Sequence, residues 1–205
     1  MSKRTAYVLV ASAVILLGGF FLWLSPQLSA KAVSLPVLGN PGHTISDFSF
    51  LNQEGKTITR DSIRGKVCVV EYFFTTCPSI CPKMNAQMLK VYDKFKDVPG
   101  FLILSHTVDP TTDSVPVLAR YAERYHADPR VWMFLTGPKK ELYQMARESY
   151  LLDSGSGDGG PDDFVHTQMW ALVDRQGRLR GFYDSLQPDQ VTKLEHDLHV
   201  LLSSS

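Results

Sequence analysis

Hydrophobic positions follow different periods along this chain, and each pattern predicts a different kind of element. The first is an unbroken apolar run from Ala6 to Leu24 with no charged residue in it. A helix of roughly 20 apolar residues crosses a bilayer, whereas the apolar core of a cleaved export signal is only ~7–15 residues long. The run over residues 6–24 therefore reads as a transmembrane anchor. Lys3 and Arg4 precede it. Positive charge on that flank predicts that the amino end, residues 1–5, stays in the cytoplasm and the rest is exported. Ala30-Lys31-Ala32 has a small-x-small cleavage pattern but lies well past the apolar core. An uncleaved anchor is thus expected, followed by a linker over residues 25–40 and one exported domain over residues 41–205.

Within that domain short β-branched and aromatic runs alternate with helical periods. Ile45 to Phe50, the turn Asn52-Gln-Glu-Gly-Lys56 and Thr57 to Thr59 predict an opening hairpin. Strands follow at Lys66 to Phe74, Phe101 to Val108 and Val131 to Leu135. Helices are expected from the loop after Phe74 through about Asp97, near Val115 to His126, and from Pro138 to about Tyr150. A second hairpin, Gln168 to Val173 and Arg178 to Tyr183, turns at Asp174-Arg-Gln-Gly177. The last helix, Pro188 to Leu202, puts Val191, Leu194, Leu198 and Leu202 on one stripe. Alternating strands and helices closed by a hairpin and a helix describe an α/β sandwich with a mixed sheet.

Charge adds an exclusion. Lys+Arg 21 against Asp+Glu 21 leaves a formal net charge of +0, so there is no electrostatic footprint for nucleic acid. The one low-complexity stretch, Asp153 to Asp163, is glycine-rich and acidic.

The chemistry lies where the first long strand meets its helix, in Cys77-Pro-Ser-Ile-Cys81-Pro82. Two thiols four positions apart on a helix share a face about 6 Å apart. That spacing suits either two thiolates on one metal ion or a disulfide. The prolines argue against a plain helix interior, and the carboxyl end of a strand is where open α/β sheets place ligands. His166 stands before the strand-like run Met169 to Val173. Two sulfurs and an imidazole favour copper, particularly Cu(I), although zinc accepts the same donors. Cys68, inside the first long strand, reads as a buried structural thiol.

Several segments together resemble the Sco/SenC family. They are Phe74-Thr-Thr-Cys77-Pro-Ser-Ile-Cys81-Pro, Val108-Asp109-Pro110 with Asp113 following, Arg120-Tyr-Ala-Glu-Arg-Tyr125, Trp132-Met-Phe-Leu-Thr-Gly137, and His166-Thr167 before Leu172-Val-Asp174. The resemblance covers the whole expected exported domain. It implies a thioredoxin-like fold and a copper metallochaperone that serves cytochrome c oxidase assembly, with Cys77, Cys81 and His166 as copper ligands. Its implied partners are the copper-centre subunit of the oxidase, a copper donor chaperone and a thiol reductant. Its implied place is the inner membrane, with the domain on the periplasmic side.

The competing class is a membrane-anchored thiol-disulfide oxidoreductase without obligatory metal. Against it stand the Cys-x-x-x-Cys spacing, where redox enzymes use Cys-x-x-Cys, and a histidine with no proline in the approach Val165 to Met169. Asp109 has two readings, a partner for His166 or the start of a turn. His106 reads as a half-buried packing residue, with a fourth-ligand role as the alternative. Met84 and Met88 read as core packing.

Overall fold

In the computed structural model seven strands form one sheet, in the order β2-β1-β5-β4-β3-β6-β7. The strands are β1 (Ser49–Asn52), β2 (Thr57–Thr59), β3 (Val67–Phe73), β4 (Phe101–Thr107), β5 (Trp132–Thr136), β6 (Met169–Val173) and β7 (Leu179–Asp184). The helices are α1 (Ile80–Phe95), α2 (Val115–Glu123), α3 (Lys139–Gln144) and α4 (Pro188–Ser203). The described residues are Tyr7, Ser12, 14–20, 34–155, Gly157, Gly159, Gly160 and 163–204. They fall into two units, Met1–Ser34 and Leu35–Ser205. In the first, Tyr7, Ser12 and residues 14–20 are helical. Among the described residues no helix is long and apolar enough to cross a membrane. Much of the expected anchor over 6–24, and Ala30-Lys31-Ala32 in the linker, lie outside the described residues.

The second unit is the expected α/β sandwich. Its parallel centre, β3 against β4 and β4 against β5, is flanked by antiparallel β1 on one side and β6 on the other. Every residue of β3 and β4 is buried, as a strand covered on both faces requires. Alternation then sorts the core into two layers. Val67, Val69 and Phe73 face Met84, Met88 and Val91 of α1 and Leu194 and Leu198 of α4. Cys68, Val70 and Tyr72 face Leu142 and Tyr143 of α3 and Tyr150.

Three expectations are corrected by the backbone. The run from Ile45 joins the sheet only at Ser49, because the Ile45 N–H bonds the Gly177 carbonyl and the Ser46 N–H bonds the Ser149 hydroxyl. Chain after Gln144 does not continue as α-helix. It widens into a π-turn over Met145–Ser149 and ends with Leu151 at φ 54, a site class often found near function. On α4 the fourth buried stripe position is Leu201, while Leu202 is only partly buried.

Candidate functional site

β3 delivers the chain to the cysteines and α1 holds the second of them. Phe73 ends the strand, and the turn that follows is fixed from below by Asp113. Its buried carboxylate accepts the Thr75 N–H at 3.2 Å and the hydroxyls of Thr75 and Thr107. Cys77 closes a turn onto the Phe74 carbonyl, and α1 then begins at Ile80. Pro82 occupies the first turn, where an amide N–H has no helical acceptor in any case. The motif therefore places Cys81 inside the helix and Cys77 just before it.

The two thiols are free and are not equivalent. The Cys81 N–H donates to Cys77 Sγ at 3.3 Å. Partial burial opposes ionisation of Cys77, but hydrogen bonds from the Cys81 thiol and from the N–H groups of Cys81, Ser79 and Ile80 outweigh it and hold its pKa below the ordinary value. Cys81 is the opposite case. Burial and its bond to Cys77 push it up to about 12. The site thus pairs one thiol whose ionisation is favoured with one whose ionisation is opposed.

His166 arrives from the other side. It is exposed, and its ring lies 4.5 Å from that of Phe164, which meets Phe74 edge-on at 5.4 Å. Cys81 and His166 line one cavity of about 370 Å³ with Ile80, Val108, Val165 and Met169. Cys77 adjoins it through Cys81 rather than lining it. Among the described residues no three His, Cys, Asp or Glu side chains stand close enough together to hold a metal ion. The three expected donors are gathered at one end of the sheet, with His166 standing clear of the sulfurs.

The segment carrying His166 is held by a clamp that the sequence pattern does not predict. Arg147, in the π-turn, bonds Asp153 at 2.8 Å and takes Asp163 in both arms at 2.7 Å. The Gly159 N–H adds a bond to Asp163 at 2.8 Å, and Lys139 bonds the Gly160 carbonyl at 2.7 Å. The Arg147 guanidinium is the main cause holding the Asp163 carboxyl down at about 2. The clamp gathers both ends of the glycine-rich stretch three residues before His166.

Glu71 was equally silent in the sequence. It sits wholly buried in β3, accepting the Ser105 hydroxyl at 2.6 Å and the Trp170 indole N–H at 2.9 Å. Burial raises it to about 7 despite those two bonds.

The remaining candidates separate cleanly. Asp109 starts a turn: its carbonyl accepts the N–H groups of Thr112 and Asp113, and its own N–H bonds Thr107 Oγ1. Cys68 is buried in the layer opposite the cysteine pair, with its pKa pushed up to about 12 by burial. His106 is fully buried, not half-buried, and faces that same opposite layer, stacked on Tyr72 at 5.2 Å. Among the described residues neither of its ring nitrogens has a hydrogen-bond partner, and burial lowers it to about 3. With the sheet between it and the cysteines, it is no fourth ligand. Met84 and Met88 are core, as expected.

Fold and site define a thioredoxin-like domain with a dithiol at a strand–helix junction and an imidazole across a shared cavity. The SCO1/SenC family model matches residues 38–201. A SCO1 protein homolog of Bacillus subtilis (strain 168) is 30% identical over 147 residues, 71% of this chain and 76% of its own. The chain belongs to the SCO1/SenC family. BsSco, described as a member of the Sco family of cytochrome c oxidase assembly proteins with a disulfide switch, superposes with a TM-score of 0.67 at 27% identity. That match covers 82% of this chain and 99% of the other. Arabidopsis thaliana ScoI, solved with copper bound, shares the fold at a TM-score of 0.60 and 24% identity, over 76% of this chain and 95% of its own.

Proposed function

We propose that this protein is a copper metallochaperone of cytochrome c oxidase assembly, with Cys77, Cys81 and His166 as the ligands of its cargo. The observation that carries the reading is the shared cavity of Cys81 and His166 with Cys77 Sγ against the Cys81 N–H. Two thiolates and one imidazole make a soft, low-coordinate set that suits copper in either oxidation state. Such a set leaves room for an incoming ligand to carry the ion away. Cys77 offers the first thiolate. Cys81 gives up its proton as the metal arrives, so binding releases protons and weakens as pH falls. His166, on a loop, closes last and opens first. The copper donor chaperone and the oxidase subunit are then successive exchange partners at one exposed end of the sheet.

The asymmetry of the two thiols also supports reduction of the partner's cysteines. The Cys77 thiolate attacks a partner disulfide and one partner thiolate leaves. The Cys81 thiolate then attacks Cys77 Sγ in the mixed disulfide, releasing the second partner thiol and leaving a Cys77–Cys81 disulfide. Two electrons pass from this dithiol to the partner, and a thiol reductant resets it. A metal-free oxidoreductase would use only this half of the chemistry. We further infer that residues 6–24 anchor the chain in the inner membrane with the domain on the periplasmic side, since Lys3 and Arg4 precede the apolar span. A reporter fused after Ser205 checks this by appearing outside the cytoplasm and in the membrane fraction.

The direct test is metal analysis of the purified, reduced full chain offered Cu(I) or Cu(II). One copper per chain is expected, lost in Cys77→Ser and in Cys81→Ser and kept in Cys68→Ser. Full loading of the double variant Cys77→Ser, Cys81→Ser would refute the assignment.

A further inference from the structure

The end of the sheet opposite the cysteines carries a second cavity, of about 390 Å³. It lies where β3 begins and β6 ends, beside the turn into β7. Four cations line it: Arg60, Arg64, Lys66 and Arg175. Asp174 is the only carboxylate in that lining, and it is already satisfied. It accepts Arg178 Nε at 2.8 Å, Arg180 Nη1 at 2.7 Å and the N–H groups of Gln176 and Arg178.

The cations have weaker commitments. Arg60 makes only a 3.5 Å pair with Asp47, whose side chain is 92% exposed, and a 3.4 Å bond to Thr44. Arg64 pairs with Asp61, both out in solvent, where such pairs contribute little. Arg175 is fixed by neutral acceptors, the Leu201, Leu202 and Ser204 carbonyls at the end of α4. Lys66 faces no carboxylate among the described residues within ion-pair distance. Among the described residues the lining therefore holds four cations against one carboxylate. In a chain whose formal net charge is +0, that local surplus is a segregation of charge. A concave wall of one sign concentrates counter-ions, and guanidinium forks match the geometry of phosphate oxygens.

We propose that this cavity binds a phosphate-bearing anion, seated on the Lys66 ammonium and the Arg60 and Arg64 guanidinium groups, independently of the copper chemistry. Leu38 bridges to Leu179 at this same end, and Arg180 bonds the Pro36 carbonyl at 2.9 Å. Residues 36–38 therefore lie at this end of the sheet, away from Cys77 and Cys81. Two sources carry this chemistry, a soluble phosphate compound and the headgroup of an anionic phospholipid.

The test reads the reactivity of Lys66 toward an amine-acylating reagent by mass spectrometry on the full chain. One arm adds inorganic pyrophosphate to the protein in a neutral detergent. The other compares nanodiscs of phosphatidylcholine alone with nanodiscs containing phosphatidylglycerol. Protection of Lys66 by about ten-fold is expected at ten times the dissociation constant, with Lys83 and Lys90 on α1 unchanged. The protecting arm names the source. Arg60→Gln, Arg64→Gln should remove the protection while the chain still loads one copper. No protection in either arm, equal protection of Lys83 and Lys90, or protection that survives in the double variant each overturns the proposal.

Discussion

The two sides of the candidate site are built on opposite principles. Cys77 and Cys81 stand on an elbow whose parts are all core: β3 is buried along its whole length, α1 packs on it, and Asp113 ties the intervening turn to the end of β4. His166 stands on a loop that adds only Leu152 and Val165 to the core and is otherwise held by the Arg147 clamp and the Lys139 bond to the Gly160 carbonyl. Free energies of local opening follow buried apolar packing, so the elbow should open only with the whole domain and the loop well before it. A carrier benefits from that division. On the proposed reading, the rigid elbow sets the position of the two sulfurs and the loop-borne His166 sets how long the cargo stays.

The strongest way to probe the rigid side is through Glu71. Its pKa is raised by burial from 4.5 to about 7, so the folded state holds its proton more tightly than the unfolded chain does. The contribution of Glu71 to stability therefore falls as pH rises between those two values, by ~3 kcal/mol for a wholly buried carboxyl, against the opposite contribution of His106 below pH 6.5. Ser105 and Trp170 donate to it, and the titratable groups Cys81 and Tyr121 feel its charge. Denaturant unfolding of Glu71→Gln from pH 4 to 8 should show that slope gone, with the variant the more stable protein above pH 7. A stability difference between wild type and Glu71→Gln that stays constant across the interval would refute the buried acid.

Arg147→Ala probes the other side. Hydrogen bonds to a charged group contribute ~1.5–3 kcal/mol, which is roughly ten- to a hundred-fold in loop opening. Amide exchange across residues 153–166 should accelerate by that factor while α1 is unchanged, and copper should dissociate faster. Arg147→Lys should restore only part of this, because an ammonium cannot hold Asp163 in both arms as the guanidinium does. Acceleration spread equally into α1 would erase the distinction between elbow and loop.

His106→Leu is the smallest effect and serves as the control for the opposite layer. Removing a buried imidazole whose nitrogens bond nothing should leave stability equal or raise it by ~1 kcal/mol at neutral pH. The gain should widen in acid: burial lowers the folded pKa from 6.5 to about 3, so wild type loses stability as pH falls between those values. Copper loading should not change. A loss of copper in this variant would place His106 functionally across the sheet.

How much of this was legible in the chain depended on whether periodicity or long-range pairing decided it. The strands β3 to β7, the helices α1, α2 and α4, and the cysteine elbow follow from alternation and from prolines whose local cost is plain. Gln53 shows the limit. It reads as a turn residue, yet it is buried and serves β5, donating to the Trp132 carbonyl at 2.8 Å and accepting the Phe134 N–H at 3.0 Å. Arg147 and Asp163 likewise look like ordinary surface charges sixteen positions apart. Only the π-turn and the Gly159–Asp163 contact bring them together. Glu71 sits in a β-branched run where one polar residue carries no signal of what lies across the sheet from it. Such pairings are tertiary, and no local pattern encodes them.

The central claim is that the loop-borne imidazole, and not the dithiol alone, makes this a copper carrier. His166→Ala tests it most directly, measured as copper retained by the reduced protein against a competing chelator, with disulfide cycling of Cys77 and Cys81 followed in the same sample. The account predicts that retention falls sharply, most of all for Cu(II), which prefers nitrogen beside sulfur, while the thiols cycle as in wild type. Copper retained as tightly as in wild type would contradict it and leave the protein a thiol-disulfide oxidoreductase.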